Sequence, residues 1–257
     1  MRRPLQMALL LLSGVGLLRI ALFTDLYLRY VKEGMRPLLI ASGVLLILLA
    51  VADLVSSLRR RRHDEQTDPG DDSHGHDHGH GHGHHHSSVP RPAWLLFLPA
   101  LSLLLYAPPA LGAYTASREP AKTVPQRDTF DPLPTTSPLP ITLTDFTSRV
   151  QQDRTRAIQD RTVQMTGFAT SAERKDSWYL TRITISCCAA DAQSVKVRIH
   201  GVPAPAANTW VTVTGTWRPD GTLGTNSAAV ALDARAVQKV AKPVNSYKDA
   251  LPWAPSR

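Results

Sequence analysis

Cysteine and aromatic residues are scarce in this chain of 257 residues. The only two cysteines, Cys187 and Cys188, are adjacent. Neighbouring Cα atoms lie about 3.8 Å apart, less than the usual disulfide range, so a disulfide between these two cysteines would be strained. Aromatic residues make up 6% of the chain. Because proteins bind single-stranded nucleic acid by stacking bases on exposed aromatic rings, this scarcity argues against a nucleic-acid partner.

Motifs of the common enzyme classes are also absent. The sequence contains no nucleophile–base motif, no glycine-rich phosphate loop and no His-Glu-x-x-His pattern. We therefore expect a protein that is not an enzyme.

Long apolar runs are confined to the first 114 residues, at positions 5–23, 37–58 and 94–114. A bilayer core about 30 Å thick needs roughly 20 helical residues, and each run is long enough. The sequence therefore predicts three transmembrane helices followed by a soluble tail, in a multi-pass protein of the cell membrane.

The distribution of lysine and arginine predicts the orientation of these helices. Seven such residues flank the spans on one side and three on the other, where Arg29, Lys32 and Arg36 lie between the first two spans. Cytoplasmic loops carry the excess of positive charge, so we expect a cytoplasmic amino terminus and an extracytoplasmic carboxy-terminal domain. The cluster 59–62, four consecutive arginines, is typical of contact with anionic membrane lipid.

Residues 59–93 form a polar linker, which we predict to be cytoplasmic and disordered, and its centre is rich in histidine. Neutral imidazole suits zinc and other divalent transition metals, and the alternating glycines let several imidazoles gather around one ion. This pattern predicts a weak, rapidly exchanging zinc buffer or sensor. The alternative is a low-complexity insert whose metal affinity is incidental. The candidate ligands are His74, His76, His78, His80, His82, His84, His85 and His86.

The tail divides into a tether and one small domain. Residues 115–141 are rich in proline and threonine, which predicts an extended tether. In residues 142–257, apolar and polar residues alternate in five short segments, at 163–168, 178–185, 195–199, 210–217 and 229–237. The pattern predicts a small antiparallel β-barrel of the OB type, preceded by a helix that Thr144 caps. Gly167 and Gly215 would mark sharp bends in its strands.

The adjacent cysteines fall at the end of the second predicted strand, and Asp191, three residues after Cys188, is a closer candidate ligand than His200. Three interpretations remain open for Cys187 and Cys188: small thiols that fill a tight turn, a soft-metal or redox site that includes Asp191, and a contact with a partner. His200 is not a candidate ligand, because the strand pairing would place it about four residues farther along, roughly 13 Å away.

The order of spans, polar insert and further span, together with the segment 182–192 (RITISCCAADA) and the preceding Thr166-Gly-Phe168, resembles the YcgQ-like family of small subunits of two-component permeases. The resemblance covers nearly the whole chain. It implies a larger multi-span permease subunit as the partner, encoded by a neighbouring gene. The family's Pro-Tyr element near the end has become Pro243-Val-Asn-Ser-Tyr247 here.

Two functional hypotheses follow. The first is a non-catalytic accessory subunit of a two-component membrane permease, linked to the handling of a divalent metal such as zinc. The second is an extracytoplasmic thiol, soft-metal or redox protein that acts through Cys187 and Cys188.

Overall fold

The computed structural model describes residues 2–64, 110–172 and 176–251. The chain divides into two compact units, one of residues 1–15 and 44–110, the other of residues 16–43 and 111–257. The predicted histidine-rich tract and nearly all of the predicted third span lie outside the described residues.

Two helices occupy the amino-terminal region, α1 (Arg2–Phe23) and α2 (Arg36–Asp64). Their apolar segments have mean hydropathies of 1.9 and 2.7, and both helices are long and apolar enough to cross a membrane. They correspond to the first two predicted spans. α2 continues through Asp64, so the first residues of the predicted linker are helical rather than disordered.

The loop between α1 and α2 contains two short 3-10 helices, Leu26–Arg29 and Glu33–Met35. Arg36 folds back over this loop: its Nε donates a hydrogen bond of 2.8 Å to the carbonyl oxygen of Ala21, in the last turn of α1. A positive charge beside unpaired carbonyl groups stabilises the carboxy-terminal end of a helix. The loop therefore has a defined structure.

Six strands form the sheet domain: β1 (Leu139–Pro140), β2 (Thr162–Ser171), β3 (Trp178–Thr184), β4 (Gln193–His200), β5 (Trp210–Trp217) and β6 (Ala231–Lys239). The last five correspond to the five predicted strands. The order in the sheet is β1-β2-β3-β4-β6-β5, and β2 also pairs with β5.

The sheet is mixed, which corrects the prediction of a purely antiparallel one. β1 runs parallel to β2, and β4 runs parallel to β6. The second parallel pair arises because β5 lies between β4 and β6 in sequence but pairs with β6 and β2. Alternation along single strands predicts which residues are buried, but it carries no information on which strands become neighbours.

Gly215 occupies an irregular position in the sheet, as the sequence predicts for a bend. The pairing of β5 with β6 passes from Thr214–Ala236 to Gly215–Ala234, so one residue of β6 is left without a partner in the register. A Cβ atom at Gly215 would collide with the backbone of Asp233 and Ala234. Glycine is required here because the two strands approach too closely for a side chain.

Helix α4 (Leu143–Gln152) packs against β4 and β2 and contributes to the main core. Its N-cap is Thr142, whose side chain accepts a hydrogen bond of 3.1 Å from the backbone N–H of Asp145. The prediction that Thr144 caps this helix is therefore wrong by two residues. Thr144 instead donates a hydrogen bond from its hydroxyl to Asp249 at 2.7 Å.

A second buried cluster lies apart from the main core. The short helix α3 (Ala113–Arg118) contributes Ala113 and Ala116 to it, and the carboxy-terminal segment contributes Tyr247. The sheet supplies Phe168, Ile183 and Trp210, and Ile185, just after β3, completes the cluster. Because side chains of β2, β3 and β5 are buried on two sides, the alternation of apolar and polar residues weakens there.

The predicted tether 115–141 is packed onto the sheet domain along much of its length. Ala121 forms a bridge with Ser194, Val124 and Leu139 are buried, and β1 adds a strand beside β2. Proline and threonine predict an extended chain, but residues 115–118 belong to the short helix Ala113–Arg118, so the prediction is wrong for the first four residues of the tether. Its apolar residues nevertheless reach the core, a tertiary effect that composition does not reveal.

Candidate functional site

The two cysteines lie in a turn that follows β3. This strand ends at Thr184, and a short 3-10 helix, Ala189–Asp191, returns the chain to β4. The carboxylate of Asp191 accepts hydrogen bonds from the backbone N–H groups of Ser186, at 2.8 Å, and Cys187, at 2.7 Å. The structure thus places Asp191 beside the cysteine pair, where the sequence predicts it, and this carboxylate holds the turn together.

Both cysteines are free thiols, and Cys187 is exposed while Cys188 is half-buried. A hydrogen bond to the carboxylate of Asp191, and a second interaction with Cys188, raise the pKa of Cys187 to about 11. The same bond from Cys187 lowers the pKa of Asp191, helped by the backbone N–H of Ser186. Cys187 is therefore a protonated thiol near neutral pH, and protonated thiols are poor nucleophiles.

Residues 185–191, which we call the cysteine turn, contact the loop between α1 and α2 through backbone hydrogen bonds. The N–H of Ala189 donates to the carbonyl oxygen of Tyr30 at 2.7 Å, and the N–H of Lys32 donates to that of Cys187 at 3.0 Å. Val31 and Cys188 form an isolated antiparallel bridge between these two bonds. The turn and the loop are thus joined like the ends of two neighbouring strands.

Arg182 is a functional candidate that the sequence reasoning missed. It is buried in β3, and its guanidinium lies 4.9 Å from the centroid of the Trp210 ring and 3.5 Å from the carboxylate of Asp249. Burial lowers the pKa of Arg182, and the negative charge of Asp249 opposes that shift. The sequence offered two signals for it: a positive charge within an otherwise largely uncharged strand, and the place of Arg182 at the start of the family-like segment 182–192.

The carboxy-terminal segment packs against the same region. Tyr247 is buried, its hydroxyl donates a hydrogen bond of 2.9 Å to the carbonyl oxygen of Leu111, and its own carbonyl accepts one from the N–H of Ile185. Burial is the main reason that the pKa of Tyr247 is raised. The segment around Tyr247 thus ties the end of the chain to the residues just before the cysteine turn.

A cavity of about 670 Å³ opens between the loop, the cysteine turn, the start of α4 and the carboxy-terminal segment. Its lining is mixed polar and apolar and carries both signs of charge, and it includes Lys32, Lys122, Thr144, Ser186, Tyr247 and Asp249. Asp249 accepts two hydrogen bonds from Thr144, so its carboxylate is engaged at the first turn of α4. This cavity is large enough for a small solute.

Metal ligands do not converge within the part of the chain that the structure describes, where no group of three or more His, Cys, Asp or Glu side chains is placed to hold an ion. The eight histidines of the tract, His74 to His86, lie outside the described residues. His200 ends β4, pairs with Asp233 of β6 and lines a different cavity, together with Arg198 and Arg218. The structure therefore does not bring His200 to the cysteine turn.

Replacing Asp191 by asparagine should make Cys187 more reactive. The substitution weakens the hydrogen bond that is the main cause of the raised pKa of this thiol, and it removes the negative charge that adds to it, so the thiolate fraction below pH 9 increases. A thiol of lower pKa is also intrinsically less nucleophilic, so we expect a net gain of about tenfold in alkylation rate. The measurement is iodoacetamide labelling of the full chain between pH 7 and pH 11 in a Cys188→Ser background, followed by mass spectrometry.

The matched control for this experiment is Asp233→Asn, which removes a half-exposed carboxylate that pairs with Arg218 in another part of the sheet, away from the cysteine turn. Its rate profile should overlay that of the Cys188→Ser parent. A parent profile that already reaches half its maximum near pH 8.5 would contradict the assigned environment of Cys187.

Comparison with known proteins places the chain in a family. The DUF1980 N-terminal domain matches residues 7–120, and the DUF1980 C-terminal domain matches residues 133–248. No protein of curated function matches the sequence significantly. A crystal structure of a candidate aspartyl-tRNA synthetase from Leishmania major Friedlin is similar over 49% of this chain and 24% of that one, with 13% identity and a TM-score of 0.25, which is too low to carry an argument. The chain has both domains of the DUF1980 family and belongs to that family.

Proposed function

We propose that this protein is a non-catalytic accessory subunit of a two-component membrane permease. One observation carries the proposal. The sheet domain is hydrogen-bonded to the loop that joins two helices of membrane-spanning length, through the cysteine turn at Ala189 and Cys187. A domain held in this way stays at the membrane surface and can act on a solute there, rather than diffusing as a separate carrier.

The exposed surfaces of the helices support a subunit role. Large apolar side chains on α1 and α2 are exposed, among them Leu12 at 70%, Leu45 at 57% and Leu48 at 59%. In a membrane such faces are covered by lipid or by other helices. Three predicted spans with few ionisable residues make a poor conduit by themselves, since transport pathways need polar groups that face a cavity. A larger multi-span partner would supply that pathway.

The membrane topology of the proposal follows from the same contacts. Because the loop and the cysteine turn are hydrogen-bonded, they must lie on the same side of the membrane if α1 and α2 span it. The excess of lysine and arginine on the other side then favours an extracytoplasmic sheet domain and a cytoplasmic amino terminus. This topology is compatible with the lysine and arginine distribution, with the hydrogen bonds between loop and turn, and with the proposed role as a permease subunit.

We propose further that the mixed sheet closes into an OB-like barrel, and the strand pairing supports this. Because β2 pairs with β5 as well as with β3, the pairings β2-β3-β4-β6-β5-β2 return to their starting strand. OB barrels often bind nucleic acid through exposed aromatic rings. Here Phe168, Trp178 and Trp210 are buried, so we propose a solute or protein ligand instead.

The permease role predicts a stable complex with a larger multi-span permease subunit, which we expect a neighbouring gene to encode. Co-expressed in the same membrane and solubilised in mild detergent, the two should elute together from a size-exclusion column after affinity purification through either one. The stoichiometry would be measured by native mass spectrometry. Elution as separate proteins from both purifications would refute the role of accessory subunit.

The control for this complex is an unrelated multi-span protein expressed at the same level, which should not elute with the chain. Solute uptake into membrane vesicles that contain one or both proteins then tests function. We expect the full uptake rate only with both.

The proposed topology predicts that a reporter active only outside the cytoplasm works when it is fused after Arg257. A cytoplasmic reporter should work when it is fused before Met1. Activity of a cytoplasmic reporter after Arg257 would place the sheet domain inside and would reverse the assignment.

For the metal, we propose that the histidine tract buffers or senses zinc on the cytoplasmic side. Deletion of residues 73–88 should abolish most multi-ion zinc binding in calorimetry of the detergent-solubilised chain, because it removes all eight candidate imidazole ligands at once. The thermal unfolding of the sheet domain should not change. A retained binding capacity would contradict the buffer.

The second candidate function is an extracytoplasmic thiol or soft-metal protein. It is favoured by the adjacent Cys187 and Cys188 at an exposed turn, with Asp191 beside them. Metal binding that survives deletion of residues 73–88 and disappears in the Cys187→Ser and Cys188→Ser variants would support this function over the first. We place it second because the raised pKa of Cys187 keeps the thiol protonated near neutral pH.

A further inference from the structure

A second, smaller cavity lies beside the loop that joins α1 and α2. Its volume is about 300 Å³, and two separate segments line it: the loop, which contributes Asp25, Leu26 and Arg29, and the carboxy-terminal segment, which contributes Lys242 and Val244. The larger cavity at the cysteine turn is lined by other charged residues. Leu28 and Tyr247 line both cavities, but no charged residue does, so Asp25, Arg29 and Lys242 belong to the smaller cavity alone.

Two positive charges face this cavity without a bound counter-charge. Neither Arg29 nor Lys242 forms an ion pair with any residue in the described ranges 2–64, 110–172 and 176–251, although Asp25 lines the same cavity. The pKa of Lys242 is lowered, first by partial desolvation and then by repulsion from Arg29. Like charges that repel each other beside an open cavity bind an anion well, because the anion relieves the repulsion.

The surroundings of this pair are apolar and exposed. Phe23, the last residue of α1, is 81% exposed, Leu26 is 44% exposed and Val244 is 75% exposed. Exposed apolar side chains at the end of a membrane-length helix contact the acyl-chain region of a bilayer. Cationic side chains next to them then lie at the depth of the lipid headgroups.

We propose that Arg29 and Lys242 form a binding site for the phosphate of an anionic lipid headgroup in the membrane leaflet next to the sheet domain. The phosphate lies between the two cations, and the acyl chains lie along Phe23, Leu26 and Val244. The lipid thereby joins the loop to the carboxy-terminal segment. The site rests on the membrane position proposed above and is independent of the permease role.

The test uses the delipidated full chain in detergent, titrated with phosphatidylglycerol or phosphatidylcholine and followed by native mass spectrometry. The wild type should bind phosphatidylglycerol more tightly. Arg29→Gln and Lys242→Gln should each weaken that binding about fivefold, the factor that one cation near an anionic membrane surface contributes. Lys242→Arg should retain it, because the charge is kept.

The matched control is Lys239→Gln, which removes the same charge from an exposed residue three positions earlier that does not line the cavity. Its affinity for phosphatidylglycerol should equal that of the wild type. Because residues 59–62 are unchanged in every variant, any lipid that binds at the arginine cluster contributes equally to all measurements. Circular dichroism verifies that each variant is folded, and Lys242→Gln, at an exposed residue, provides the test if Arg29→Gln is not folded.

Two results would overturn the proposal. One is an equal affinity for phosphatidylglycerol in Lys242→Gln and Lys239→Gln. The other is displacement of phosphatidylglycerol by inorganic phosphate at equal concentration, which would make the occupant a free anion rather than a lipid.

Discussion

The backbone hydrogen bonds between the helix-connecting loop and the cysteine turn are the interaction on which the proposed function depends. Backbone N–H and C=O groups that leave water need partners, and two of those partners here come from segments far apart in sequence. Hydrogen bonds to Tyr30 and Lys32 therefore hold Ala189 and Cys187 against the loop. The carboxy-terminal segment strengthens the arrangement because Tyr247 is bonded to Leu111 and to Ile185, just before the turn.

Local sequence patterns predicted the elements of this structure well. Alternation identified β2 to β6, and the apolar runs identified α1 and α2, because burial of one face repeats every two residues in a strand and a membrane span needs a fixed length. The N-cap was misplaced because Thr142 and Thr144 are equally suitable residue types. Only tertiary structure reveals that Asp249 engages Thr144 and leaves Thr142 to cap the helix.

The candidate site was predictable only where its residues are close in sequence. Asp191 lies four residues after Cys187, and their contact follows from a tight turn. Arg182 and Asp249 are far apart in the chain, as are Val31 and Cys188, and no periodicity connects them. The buried charge of Arg182 illustrates the difficulty. A strand pattern treats arginine as a surface residue, whereas here Asp249 and the face of Trp210 offset part of the cost of its desolvation.

The geometry also bears on the three interpretations of the cysteine pair. Packing does not account for Cys187, because its side chain is exposed, while it remains a sufficient reason for the half-buried Cys188. The backbone carbonyl of Cys187 accepts a hydrogen bond from the N–H of Lys32, and almost any residue type could supply that carbonyl. The thiol of Cys187 is thus not required by the fold. Its hydrogen bond to Asp191 favours the protonated form, so a metal ion that bound there would have to displace the proton and compete with that bond. This competition makes metal binding by the Cys187 thiol a weaker basis for function than the backbone contact between the turn and the loop.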